Sequence, residues 1–263
     1  MNNSAAPPTY KIAIQADGLY KSFEKFQALS NISFYVKKGE IFGLLGPNGA
    51  GKTTCMKIFG GILLPSSGRA LIDGIDVVKN PILAKSKIGF LPEYPALFEH
   101  ISGREFLTMM GKLRGMEKGL TDKRVEHFIR LLDLKEQIDY LIGTYSKGMR
   151  QKIAFSGAII HEPDILILDE PTSGLDPRFA KILKDMIKGF IKHDKTILMS
   201  THITTVAESL CDRVAIINNG KIASIGTIHE LKVQADADDL ENAFINIVGG
   251  KSWDGTTSIP QTR

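Results

Sequence analysis

Residues Gly46-Pro47-Asn48-Gly49-Ala50-Gly51-Lys52-Thr53-Thr54 match the pattern G-x-x-x-x-G-K-[ST]. The match stands where it has mechanical meaning. Before it runs a short apolar stretch, Glu40 to Leu45, bounded by Gly39 and Gly46, as expected of a strand covered on both faces. After it, Lys52 to Phe59 reads as a helix. In that setting the glycines let backbone N–H groups converge on phosphate oxygens, and the helix start adds positive potential. Lys52 can reach the β- and γ-phosphates, and the Thr53 hydroxyl can ligate Mg²⁺. The rival dinucleotide fingerprint G-x-G-x-x-G fails because the glycines fall at 46, 49 and 51, which disfavours nicotinamide or flavin chemistry.

A second constellation completes the chemistry. Ile165-Leu166-Ile167-Leu168 is a buried strand that ends in Asp169-Glu170. A lone Asp-Glu pair would more readily cap the following turn, Pro171-Thr172-Ser173, but beside a phosphate cradle the acids have work to do. Asp169 can hold the hydration shell of Mg²⁺, and Glu170 can take a proton from, or orient, the water that attacks the γ-phosphate.

The rest of the chain supplies the scaffold. Apolar residues alternate over Lys11 to Gln15 and Ser33 to Val36, so the start is β-rich. Ile88 to Leu91, Thr196 to Met199 and Val214 to Ile217 repeat the short buried strand, with helical spacing over Phe179 to Phe190 and Thr204 to Cys211. Strands alternating with helices predict an α/β fold with a parallel sheet. Between about 93 and 160 the period is helical (Phe106, Leu107, Met110, Leu113; Val125, Phe128, Ile129, Leu132), which predicts a helical insertion. Asp238-Asp239 ahead of Leu240, Phe244, Ile245 and Val248 predict a short capped helix ended by Gly249-Gly250. Residues 1–9, with Pro7-Pro8, and 251–263 are polar and expected to be loose ends.

Composition narrows the class. With 263 residues, 43% of them hydrophobic, the chain can bury about three quarters of its unfolded surface. The two cysteines, Cys55 and Cys211, lie far apart with no metal-type spacing, so a disulfide framework, a zinc site and an iron–sulfur cluster are unsupported. A reducing, cytosolic setting fits. No apolar stretch reaches membrane-spanning length and the start has no signal-peptide pattern, so the chain is expected neither to span a membrane nor to be exported. A net charge of +4 without Lys/Arg blocks gives no case for direct nucleic-acid binding.

Over about residues 10 to 231 the chain resembles the ATP-binding cassette (ABC) family. Tyr145-Ser146-Lys147-Gly148-Met149 looks like its LSGGQ-type signature, Ser173-Gly174-Leu175-Asp176 like the D-loop, and Thr201-His202 like the switch-histidine loop. Leu19-Tyr20-Lys21-Ser22-Phe23 looks like the segment carrying the adenine-stacking aromatic. The resemblance implies a P-loop NTPase (RecA-like) core, an N-terminal antiparallel β subdomain, an inserted α-helical subdomain over about 93–160, and a helical extension over 232–250. It also implies an ATPase in which Phe23 stacks on adenine and His202 bonds the γ-phosphate. Ser146, Lys147, Gly148 and Asp176 would face the ATP of a second subunit, and Glu93 would occupy the position of a metal-linked glutamine. Three departures stand out. Glu93 adds negative charge beside Mg²⁺, Lys147 replaces a glycine, and Tyr145 and Met149 replace the outer Leu and Gln, a variant that looks like cassettes of the drug, lipid or ion exporters.

The implied working unit is a head-to-tail dimer, homodimeric or with a paralogous cassette, around two ATP on the cytoplasmic face of a membrane. It would serve an integral permease carried on a separate chain. Tyr94, Leu97, Phe98, Phe106, Met109 and Met110 lie where the family docks a permease helix; most are expected in the core, with Tyr94 and Phe98 left for the partner. The alternative is a soluble ABC ATPase acting on nucleic acid or ribosomes. The lack of heptads between cradle and acidic strand, and the single cassette, speak against it.

Overall fold

The computed structural model describes residues 11–173, 175–191 and 195–249. The expectations for residues 1–9 and 251–263, and for Gly174 and Gly250, lie outside them. In chain order come β1 (Ile12–Phe23), β2 (Phe26–Lys37), β3 (Ile41–Leu45), α1 (Lys52–Phe59), β4 (Ser67–Ile72), β5 (Ile75–Asp76), α2 (Pro81–Ser86) and β6 (Ile88–Leu91). Next stand three helices, α3 (Gly103–Leu113), α4 (Lys118–Leu131) and α5 (Lys147–Ile159). Then follow β7 (Ile165–Asp169), α6 (Pro177–Ile191), β8 (Thr196–Thr201), α7 (Thr204–Leu210), β9 (Arg213–Asn218), β10 (Lys221–Thr227), α8 (Ile228–Ala235) and α9 (Leu240–Gly249).

Two sheets organise the chain. One is antiparallel, in the order β2-β1-β4-β5; the other runs β10-β9-β3-β8-β7-β6, parallel except for β10 at its edge. The strand before the cradle shows why its sequence lacks alternation. Phe42 and Leu44 of β3 enter a core shared with the antiparallel sheet and α1, while Ile41 and Leu45 enter a second core with α6 and α7 on the other face. Burying both faces demands apolar residues at every step. A third core, built on Phe106, Leu107, Val125, Phe128, Ile129 and Ile153, joins α3, α4 and α5.

Caps explain where several helices begin. The Ser102 hydroxyl accepts from the Glu105 N–H while Glu105 returns a bond to the Ser102 N–H, a reciprocal box that starts α3. Asp239 accepts from the Asn242 N–H at 2.8 Å and starts α9. The boundary expected at residue 231 falls inside α8. Elements β4, β5, α2, β10 and α8 carry too little period to be read from sequence.

Cys55 and Cys211 are both buried free thiols, and burial pushes each up to about 12. Only the thiolate is nucleophilic. Both should therefore resist a thiol reagent at pH 8 in the native protein and react in denaturant; prompt labelling of the native chain would contradict this packing.

Candidate nucleotide site

Four parallel strands that neighbour one another, β3, β8, β7 and β6, deliver their C-terminal ends to one edge of the sheet. There open α/β sheets bind ligands. The cradle follows β3, His202 follows β8, Asp169 and Glu170 close β7, and Glu93 follows β6. Residues far apart in sequence become neighbours because the strands do.

The cradle needs its glycines for two different reasons. A Cβ at residue 46 would meet the Ile217 carbonyl at 2.2 Å, so the chain leaves β3 against the end of β9. Gly51 has φ 106°, open to glycine alone, and a Cβ there would lie 2.7 Å from the Ala28 carbonyl. Helix α1 then starts with no side-chain cap and no acid in its first turn, leaving its N–H groups to an anion. The Lys52 ammonium donates to the Gly46 carbonyl at 2.8 Å and the Pro47 carbonyl at 3.1 Å, folding back across the loop.

The acids lie beside it, almost fully buried. Asp169 pairs in register with Ser200 of β8, whose hydroxyl donates to Asp169 Oδ1 at 2.6 Å; Thr53 donates to the same oxygen at 3.2 Å. Burial raises the Asp169 pKa, opposed by those two hydrogen bonds and reinforced by the charges of Glu93 and Glu170. Its other oxygen, Oδ2, is buried with no hydrogen-bond partner among the described residues. Such an oxygen next to the Thr53 hydroxyl fits a hard cation such as Mg²⁺. No cluster of three His, Cys, Asp or Glu that could hold a metal occurs among the described residues.

Glu170, 6% exposed, has φ 48°, a costly conformation for this residue type, and its N–H donates to the Ser200 hydroxyl at 2.9 Å. Its carboxylate lies 3.2 Å from the Lys52 ammonium and 3.0 Å from His202 Nδ1. Since a carboxylate only accepts, His202 donates from Nδ1, which fixes its tautomer.

These groups border a cleft of about 350 Å³ lined by Phe26, Ala28, Asn48, Gly49, Gly51, Lys52, Thr53, Thr54, Glu93, Tyr94 and Glu170. Other expected residues lie elsewhere. Phe23 ends β1 and does not line the cleft. Ser146 caps α5 by accepting from the Met149 N–H, and Ser146 and Lys147 are exposed. Asp176 accepts from the Phe179 N–H, capping α6, and one of its oxygens lies 3.7 Å from where a Gly148 Cβ would stand. None of Ser146, Lys147, Gly148 or Asp176 lines the cleft. Tyr145 is a core residue of the helical layer, its hydroxyl donating to the Gln137 carbonyl at 2.8 Å. Sequence reasoning missed Ser200, Phe26 and Ala28; only strand register could have singled them out.

A phosphate cradle on a parallel sheet, with a carboxylate pair at the next strand end but one, defines the class of P-loop nucleotide-binding proteins. Residues 29–173 match the family model described as ABC transporter. An uncharacterized ABC transporter ATP-binding protein, YxlF of Bacillus subtilis (strain 168), is 39% identical over 221 residues, covering 84% of this chain and 73% of that one. The daunorubicin/doxorubicin resistance ATP-binding protein DrrA of Streptomyces peucetius is 36% identical over 220 residues, covering 84% and 67%. A solved ATP-binding subunit of an ABC transporter superposes with a TM-score of 0.84 at 28% identity, covering 89% of this chain and 99% of that one.

The chain belongs to the ABC transporter family, as an ATP-binding subunit. It binds ATP and hydrolyses it to drive transport rather than to act on nucleic acid or ribosomes, and such subunits work with membrane permease components. Among the described residues, no helix is long and apolar enough to cross a membrane.

Proposed function

We propose that the subunit works as a head-to-tail dimer, with each ATP held between the cradle of one copy and the α5 helix start of the other. The mate is a second copy of this chain or a paralogous cassette. The observation that carries this reading is that one chain does not assemble both halves. The Ser146–Gly148 helix start is open to an anion yet does not line the chain's own cleft. Closure on ATP and reopening after hydrolysis would then shift a separate integral permease between states, at the cytoplasmic face of a membrane. Export is the favoured direction, because of the Tyr145/Met149 signature variant and the likeness to a drug-resistance protein. Tyr94, 78% exposed at the rim of the cleft, and Phe98, 60% exposed, are the residues offered to a permease helix, whereas Phe106 is buried and Leu97, Met109 and Met110 pack on the third core.

The roles of individual residues follow from the contacts. At rest Lys52 and His202 hold the Glu170 carboxylate. The γ-phosphate competes for Lys52 and draws it from Glu170, which frees the carboxylate to take a proton from the attacking water while His202 orients the reacting groups. Backbone N–H groups of Gly49 and of Gly51 to Thr54 bind the phosphates, whereas the buried Ala50 gives its N–H to the Pro47 carbonyl at 3.2 Å and shapes the loop. Thr53 and Asp169 would hold Mg²⁺, with Glu93 at the edge of the cleft; when bound, the ion neutralises phosphate charge.

Ser146→Ala and Gly148→Asp are expected to weaken ATP-dependent dimerisation while each monomer still binds nucleotide, as read by light scattering and equilibrium titration. Dimers as abundant as the parent's would overturn the head-to-tail arrangement. Isolating the complex from gently solubilised membranes should recover the integral partner.

A further inference from the structure

Strand β8 ends in three residues that each grip a different part of the site. The Thr201 carbonyl accepts the Gly46 N–H at 3.3 Å, where the cradle begins, and His202 bonds Glu170. Ser200 is fully buried, and it shares a face of the strand with Leu198, which packs in the core beneath α1. Burying a hydroxyl among apolar groups is costly unless it is bonded. Here one hydroxyl is bonded twice, to the two acids of β7.

The direction of each bond is fixed by chemistry. The Glu170 N–H can only donate, so Ser200 Oγ accepts it, at 2.9 Å. The hydroxyl proton is then committed to Asp169 Oδ1, at 2.6 Å. Each bond restrains one acid. Glu170 stands at φ 48°, and a strained residue persists only where its surroundings hold it. The Ser200 bond holds the peptide N–H of that residue, from which the carboxylate is aimed at Lys52 and His202. At Asp169, Oδ1 accepts from Ser200 and Thr53, while Oδ2 has no partner among the described residues. Thr53 would be shared with the cation, so Ser200 is the restraint on Asp169 that does not depend on it.

We propose that Ser200 is a positioning residue for hydrolysis, which through a single hydroxyl sets both the general base, Glu170, and the acid that holds the cation, Asp169. This rests on the roles given above to those two acids. Ser200 lies behind them and does not line the cleft. Its loss therefore touches turnover and the magnesium-dependent part of ATP binding, and leaves the cradle's own grip on the nucleotide intact.

The test uses the full chain with Ser200→Ala, Ser200→Cys and Ser200→Thr. Ser200→Ala is expected to lower kcat by about 10- to 100-fold, the span set by an outer partner of a metal-linked carboxylate. By calorimetric titration it should bind ATP as the parent does in the presence of a chelator, and lose about 10-fold of the affinity that magnesium adds. Ser200→Cys keeps the volume with a far weaker donor and should behave as Ser200→Ala, whereas Ser200→Thr restores the hydroxyl and should recover turnover. If Ser200→Ala or Ser200→Cys melts earlier but hydrolyses ATP as fast as the parent per folded molecule, the hydroxyl only supports the strand and the proposal is wrong. Equal loss of ATP affinity with and without magnesium would also overturn it. Parental turnover in Glu170→Gln is a separate result: it would remove the base itself, and this inference with it.

Discussion

Glu170→Gln should retain ATP binding and lose turnover by about 10²- to 10⁴-fold, the span that a positioned general base supplies. The amide has the shape of the carboxylate, and its oxygen can still accept from His202 Nδ1, which lies 3.0 Å from Glu170 Oε2. What it lacks is basicity and the charge that holds Lys52 at 3.2 Å. With Lys52 released to the phosphate, ATP should bind at least as tightly as in the parent, and the closed dimer should persist for want of hydrolysis. Steady-state phosphate release and light scattering with ATP read the two consequences separately. Turnover equal to the parent's would remove Glu170 from its role.

Lys52→Ala should cost about 10- to 150-fold in ATP affinity, the loss of one charge-assisted hydrogen bond to phosphate, and should bring turnover to background. This change has a second effect, because Lys52 is 5% exposed and lies against a buried carboxylate. Removing one partner strands the other charge, so the variant should also melt earlier. The double variant Lys52→Ala/Glu170→Gln separates the two effects. Thermal stability should return when the stranded carboxylate becomes an amide, while ATP affinity should not. Recovery of affinity in the double variant would mean that Lys52 acts on the ligand only through Glu170.

Much of the fold was legible because its strands are buried on both faces. Runs such as Ile165-Leu166-Ile167-Leu168 and Thr196-Ile197-Leu198-Met199 have no other economical home, and the helix over Lys52–Phe59 follows from the loop that starts it. Edge elements were not legible. β10 alternates weakly, α2 is six residues long, and the hairpin that positions Phe26 contains a bulge that interrupts the two-residue period. Within the site, the cradle and the Asp169-Glu170 pair announced themselves, but Ser200 did not. A serine in a buried strand gains meaning only from register, which sets it opposite Asp169 and against the Glu170 N–H.

The sequence by itself determined the phosphate loop, its helix and the acidic strand end, because a few consecutive residues supply all the N–H groups and turns that such features need. Which strand lies beside which was left to the tertiary structure. Strand order is set by crossovers and by cores summed over the whole chain, and no short window encodes it. That order brings Lys52, Glu170 and His202 into contact, leaves the Ser146–Gly148 helix start away from its own cleft, and turns Phe26 toward the nucleotide cleft.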